Sequence, residues 1–180
     1  MVRSRKVLAF LTGVMLATAA LLVVAVPAQA AITTYISVLN PPGQSGKKVM
    51  DVYKLSLENR APVQLWDLRS TGEFRNQRWT ITHLGNDVYE IKNQLSGKCL
   101  DKSVDHQPAN GAQVYQYDCS RSSQQLWWFQ RVVPESNWGI LKNLVDFRCL
   151  EAPRGVGFAN GNRLTVMDCN YEWYQRFNIF

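Results

Sequence analysis

Beyond its first thirty positions the chain is dominated by short runs in which apolar and polar residues alternate. "YEIKN", "AQVYQY" and "WGILKN" each place side chains of one character on every second position, the period of a strand with one buried face. Gly, Asn, Pro and Asp punctuate these runs, and no helical stripe of useful length follows the N-terminal segment. The pattern predicts many short strands joined by turns, hence an all-β domain.

The N-terminal segment follows a different rule. "MVRSRK" leads into an apolar run from Val7 to Val26 and then "PAQAA", in which Ala28 and Ala30 form a small-x-small processing site. This predicts a secretory signal peptide over residues 1–30, cut after Ala30. An uncleaved anchor is the competing reading, because the apolar run is about as long as a bilayer-spanning helix. In either case residues 31–180 are expected outside the cytoplasm, as a secreted, extracellular domain. Without Arg3, Arg5 and Lys6 the formal charge of +6 falls to about +3. No basic run exceeds the pair Lys47 and Lys48, so the charge argues against a nucleic-acid partner.

In an oxidising space four cysteines are expected as disulfides. Neither pair has C-x-x-C spacing, and His83 and His106 do not stand in an H-x3-5-H arrangement, so no metal site is expected. Four cysteines allow three pairings. An internal echo chooses among them: "CLDKSVDHQPANGAQVYQYDC" and "CLEAPRGVGFANGNRLTVMDC" share the opening Cys-Leu-acid, an Ala-Asn-Gly in register and the closing Asp-Cys, at a period of 50. Cys99 is therefore expected to pair with Cys119, and Cys149 with Cys169. A third copy, "VMDVYKLSLENRAPVQLWDL", has Val49 and Leu68 in place of the cysteines. Each copy ends in a related triplet, "QRW" at Gln77 to Trp79, "QLW" at Gln125 to Trp127 and "QRF" at Gln175 to Phe177, at spacings of 48 and 50. The repeats fall at about 35–82, 83–133 and 134–180. One such unit buries too little apolar surface alone, and closure around a threefold axis solves this.

Three Gln-x-aromatic triplets with Cys-Leu-acid and aromatic-x-Cys elements resemble ricin-type β-trefoil lectin domains, also found as carbohydrate-binding modules, over about residues 35–180. The resemblance implies a β-trefoil of three pseudo-symmetric repeats of about four strands each, with twelve strands in a six-stranded barrel capped by three hairpins. Trp79, Trp127 and Phe177 are the expected core layer.

A disulfide brings its arms together, so Asp101 and Tyr117, two steps inside the cysteines, are expected side by side at the loop's edge. A carboxylate accepts hydrogen bonds from sugar hydroxyls while an aromatic ring receives the apolar C–H face. The family's sugar site maps best onto the first copy, at Asp51, Gln64, Trp66, Asn76 and Gln77. The second copy keeps Asp101, Tyr117 and Gln125 but has Tyr115 and Gln124 where the first has Gln64 and Asn76. The third has Glu151, Met167 and Tyr174 at the acid, ring and amide positions, which implies a weak or lost site. The plainer alternative makes Asp51 and Asp101 Asx-turn acceptors of backbone N–H groups. Asn59, Asn110 and Asn160 read as turn residues with left-handed tolerance, His106 as a solvated loop residue or else a rim contact to sugar, and Trp128 as the cover of a hairpin or part of a sticky patch.

These features predict a non-catalytic carbohydrate-binding protein with one or two shallow sites, and the resemblance implies galactose- or xylose-type sugars as its ligands. Its partners would be glycans or polysaccharide, with no membrane contact after leader cleavage, and it would act alone or beside a separate secreted enzyme or toxin chain. The alternative is a secreted β-trefoil that binds a protein partner. An enzyme is not expected, since the prominent acids lie in separate repeats and no catalytic motif appears; no cofactor is implied.

Overall fold

The computed structural model describes residues 30–105, 110–153 and 158–180. The leader and His106 lie outside the described residues. Every regular element longer than a single 3-10 turn is a strand.

An extended segment, β1 (Ala31–Tyr35) and β2 (Ser37–Val38), opens the first lobe and is interrupted at the buried Ile36. β3 (Lys48–Val52) and β4 (Val63–Asp67) form a hairpin, and β5 (Arg78–Gly85) returns to the barrel. The second lobe repeats this with β6 (Val88–Asn93), β7 (Cys99–Lys102), β8 (Ala112–Tyr117) and β9 (Leu126–Arg131). The third has β10 (Trp138–Asn143), β11 (Cys149–Glu151), β12 (Thr165–Met167) and β13 (Phe177–Asn178).

The barrel closes through the pairings β5·β6, β6·β9, β9·β10 and β10·β13, with β1 on β5 and β2 on β13. β1 and β2 are thus two halves of one barrel strand. The Ile36 carbonyl between them accepts the N–H of Met50, which takes it out of the barrel ladder. Counting that pair as one strand gives the twelve of a β-trefoil, with β3–β4, β7–β8 and β11–β12 as the three capping hairpins.

Before the last strand of each lobe stands one 3-10 turn, at Arg75–Gln77, Ser123–Gln125 and Trp173–Gln175. The residue two positions beyond each Gln points inward: Trp79, Trp127 and Phe177 are fully buried. The two indoles also satisfy their N–H groups, Trp79 Nε1 donating to Met50 O (3.2 Å) and Trp127 Nε1 to Leu100 O (3.1 Å). Phe177 has no donor to satisfy, so the third lobe fills the same layer with apolar contact alone. Gly139 on β10 allows a close approach, since a Cβ there would lie 2.5 Å from the Phe129 ring and 2.6 Å from the carbonyl of Gln130.

The disulfides join Cys99 to Cys119 and Cys149 to Cys169, each with Cα atoms 5.1 Å apart. In the first lobe the Leu68 N–H donates to the Lys47 carbonyl, holding by a backbone bond the strand ends that the other lobes hold covalently.

Asn59, Asn110 and Asn160 stand in turns, as the sequence suggests, and the positive φ of each turn falls on the next residue, Arg60 (65°), Gly111 (88°) and Gly161 (91°). Each Asn also reaches into the following lobe. Asn59 Nδ2 donates to Asp118, Asn110 to Asp168 and Asn160 to Asp67, and each Asn Oδ1 accepts the N–H of the same Asp. A cation, Lys98, Arg148 or Lys48, pairs with each Asp. The three clasps run lobe one to two, two to three and three to one, and so close a ring.

Candidate functional site

The site begins with a register. On the first hairpin Asp51 lies opposite Gln64 and Val49 opposite Trp66, so Asp51, Gln64 and Trp66 share one face. Asp51 is 2% exposed, and a carboxylate buried this deeply requires donors. It has four. Gln64 Nε2 donates to Oδ1 (3.0 Å), while Oδ2 accepts from Arg69 Nη2 (2.6 Å), Asn76 Nδ2 (2.9 Å) and Gln77 Nε2 (3.0 Å). Oδ1 therefore keeps an acceptor position that Oδ2 does not. These donors rule out the Asx-turn alternative at Asp51.

Asp51, Gln64, Trp66 and Asn76 line an open cleft of about 390 Å³, together with Tyr53, Lys54, Leu55 and Arg69. Gln77 is fully buried and absent from that lining. Its Nε2 donates to Asp51 and to the Asp67 carbonyl (3.0 Å), and its Oε1 accepts the Arg69 N–H (3.0 Å). Gln77, expected among the sugar-site residues, stands behind the carboxylate, with its polar atoms engaged in aiming it. Asn76 is similarly committed, to Asp51, the Val52 carbonyl and Arg69.

In the second lobe the expected pairing of Asp101 with Tyr117 is shifted by two residues along the ladder. Asp101 faces Tyr115, and Tyr117 faces Cys99. The three polar side chains nevertheless share a face and line a second open cleft of about 390 Å³, with Arg60 and Gln124 at its margin. Gln125 reproduces the role of Gln77: Nε2 donates to Asp101 Oδ2 and to the Asp118 carbonyl (both 2.8 Å), and Oε1 accepts the Ser120 N–H (2.7 Å). Burial raises the Asp101 pKa above the ordinary carboxylate range, against the lowering pull of Gln125, the Arg60 charge and a Tyr115 hydrogen bond. The Tyr115 phenol is raised as well, by burial and then by the Asp101 charge.

The third lobe keeps the latch, with Gln175 Nε2 donating to Glu151 Oε2 (2.7 Å) and to the Asp168 carbonyl (3.0 Å). Its recognition face is built differently. Met167 lies opposite Cys149, and Phe158 packs against Trp173 (centroids 4.9 Å apart), which in turn meets Tyr174 (5.1 Å).

Arg69 was not legible as a site residue. The signal for it is positional: Arg69, Ser120 and Asn170 each follow the Cys-equivalent position and give their N–H to the lobe's Gln, and only the first lobe has a cation there. Arg60 is the second omission. It occupies the left-handed position that is Gly in the other lobes, pairs with Asp105 (2.9 Å) and sets its guanidinium 5.9 Å from the Tyr115 ring centroid. No group of three metal-ligating side chains is gathered among the described residues.

Twelve strands in three lobes, with one acid latched by one Gln in each, define a β-trefoil of the lectin type. The family model described as ricin-type beta-trefoil lectin domain-like matches residues 75–167, just over half the chain, and the chain belongs to that family. None of the curated proteins searched matches it. Among solved structures it is similar to the designed threefold-symmetric protein ThreeFoil (22% identity, TM-score 0.66, covering 79% of this chain and 96% of that one). It is also similar to the agglutinin from Abrus precatorius (24% identity, TM-score 0.58, 83% and 48%) and to a ricin B-like lectin from Macrolepiota procera in complex with lactose (15% identity, TM-score 0.60, 79% and 92%). At these identities the likeness is one of fold.

Proposed function

We propose that the protein is a secreted, non-catalytic carbohydrate-binding protein that holds one pyranose in the Asp51 cleft and another in the Asp101 cleft. One observation carries this reading: Asp51 is aimed by four donors yet retains an open acceptor position on Oδ1, in a cleft whose other polar and aromatic lining includes Trp66. Sugar hydroxyls would donate to that oxygen while the C–H face of the ring lies on the indole. In the second cleft Asp101 and Tyr117 would do the same. Membership of a lectin-like family supports the reading, as does the agglutinin and lectin character of several structural neighbours. The resemblance to ricin-type lectin domains directs this reading to ligands of galactose or xylose type. Secretion rests on the leader-like segment, whose expected cut lies at the residue before β1.

Each cleft is open to water, so single-site affinity should be millimolar to micromolar, about 4 to 8 kcal/mol. Two clefts on one rigid body would gain by multivalency on a polysaccharide. The test is the double variant Trp66→Ala, Tyr117→Ala on a glycan array. Loss of retention with an unchanged far-UV spectrum is expected, and retention equal to that of the parent protein overturns the reading.

A further inference from the structure

We infer that the Asp51 cleft selects an acidic sugar, one that carries a carboxylate, in preference to its neutral counterpart; this rests on the carbohydrate-binding reading above. Three cations stand at this cleft and one anion. Arg69 and Lys54 line it, and Arg163, brought from the third lobe by the bridge of its backbone to Gln64, places its guanidinium 6.0 Å from the centroid of the lining residue Tyr53. Lys54 Nζ lies 5.1 Å from the same centroid. Asp51 neutralises Arg69. Among the described residues neither Lys54 nor Arg163 has a carboxylate within ion-pairing reach. Two cations with no carboxylate in reach leave the cleft at a positive potential, and an anionic ligand that enters it gains Coulomb energy that a neutral one does not.

The backbone points the same way. Lys54 and Leu55 are consecutive non-glycine residues in left-handed conformation, φ 50° and 57°. That conformation is unfavourable for both side chains, and strain of this kind concentrates at ligand sites. Its result here is that Lys54 and a Leu55 left 39% exposed both line the cleft. The second cleft is balanced differently: Arg60 is paired with Asp105, and its lining holds two acids, Asp101 and Asp118. The two clefts therefore differ in charge while sharing a frame, and only the first favours an anion. Galacturonate, a galactose-type ring with a carboxylate at C6, and a sialic acid both present this chemistry.

The experiment uses the Tyr117→Ala protein, which isolates the first cleft, titrated with galacturonate oligomers, sialyllactose, galactobiose and lactose. At least about tenfold tighter binding of one acidic ligand than of its neutral counterpart is expected, and the uronate and sialyl arms distinguish the source. The preference should shrink in about 0.5 M NaCl, where the screening length falls to a few ångströms. It should vanish in the added double variant Lys54→Gln, Arg163→Gln, whose ratio of acidic-ligand to neutral-ligand affinity should fall to about one. Equal binding of acidic and neutral ligands overturns the charge selection and leaves sugar binding intact. Binding of none of the four overturns this inference, and the glycan array described above then decides the carbohydrate-binding reading.

Discussion

The side-chain amide of Gln77 donates to Oδ2 of Asp51 over 3.0 Å across 26 residues of chain, and Gln125 to Asp101 and Gln175 to Glu151 repeat the bond over 24. The same amide also reaches a strand-end carbonyl in each lobe, of Asp67, Asp118 or Asp168. One residue thus fastens the recognition hairpin to the barrel and aims the carboxylate, which explains why a triplet far from the acid in sequence repeats with it.

Replacement of Gln77 by Leu removes three hydrogen bonds from a fully buried amide and leaves one lone pair of Asp51, the Arg69 N–H and the Asp67 carbonyl short of a partner. A loss of about 2 to 3 kcal/mol is expected, the range for a buried bond to a charged group and the cost of unsatisfied neighbours. Urea unfolding followed by tryptophan fluorescence measures it. A change below about 0.5 kcal/mol would contradict the latch.

Asp51→Ala should cost more, because it strands the Arg69 guanidinium and the amides of Gln64, Asn76 and Gln77 at once. About 3 kcal/mol is expected, as for a broken buried ion pair. Its partner Arg69 is a third exposed and can recover water, which keeps the figure at the low end of that range.

Sugar binding at the second cleft should fail on acidification at a higher pH than an ordinary carboxylate would allow. Burial, foremost, raises the Asp101 pKa, and only its ionised form accepts from two hydroxyls. The sign for stability is opposite. A carboxyl whose folded pKa lies above its unfolded value stabilises the fold most below the unfolded value, and that contribution disappears as pH rises through the folded one. Calorimetric titration of Asp101→Asn against the parent across the acidic range should show the pH dependence removed.

Opening either disulfide in the form Cys99→Ala, Cys119→Ala or Cys149→Ala, Cys169→Ala should lower stability by about 3 kcal/mol, by the chain-entropy argument for a 20-residue separation. The Cys99–Cys119 pair should also weaken sugar retention, since Tyr117 stands opposite Cys99. Thermal unfolding with a parallel glycan array tests both.

Asn160→Ala breaks the clasp that joins the third lobe to the first, through Asp67 and Lys48. The groups are exposed, so the expected loss is about 1 kcal/mol. Hydrogen exchange should rise at the strand ends near Asp67 and leave the Asn110–Asp168 clasp unchanged.

Alternation and period settled most of the fold before any coordinates. A lobe too small to bury its own core must repeat and close, so the triplets determined which aromatics, Trp79, Trp127 and Phe177, meet at the centre, and the echo of Cys-Leu-acid and Asp-Cys determined the bridges. The acids were legible for the same reason. What the sequence could not decide is which neighbour each polar side chain finds, because those partners come from other lobes or from loops with no period. Arg69 turns back onto Asp51, Arg163 arrives from the third lobe, and the turn residues Asn59, Asn110 and Asn160 serve also as inter-lobe clasps. The two-residue shift that sets Tyr115 and not Tyr117 opposite Asp101 is a matter of strand register, fixed by pairing across the hairpin. Local pattern dictates which side chains are buried; only three-dimensional closure dictates what a buried charge is paired with.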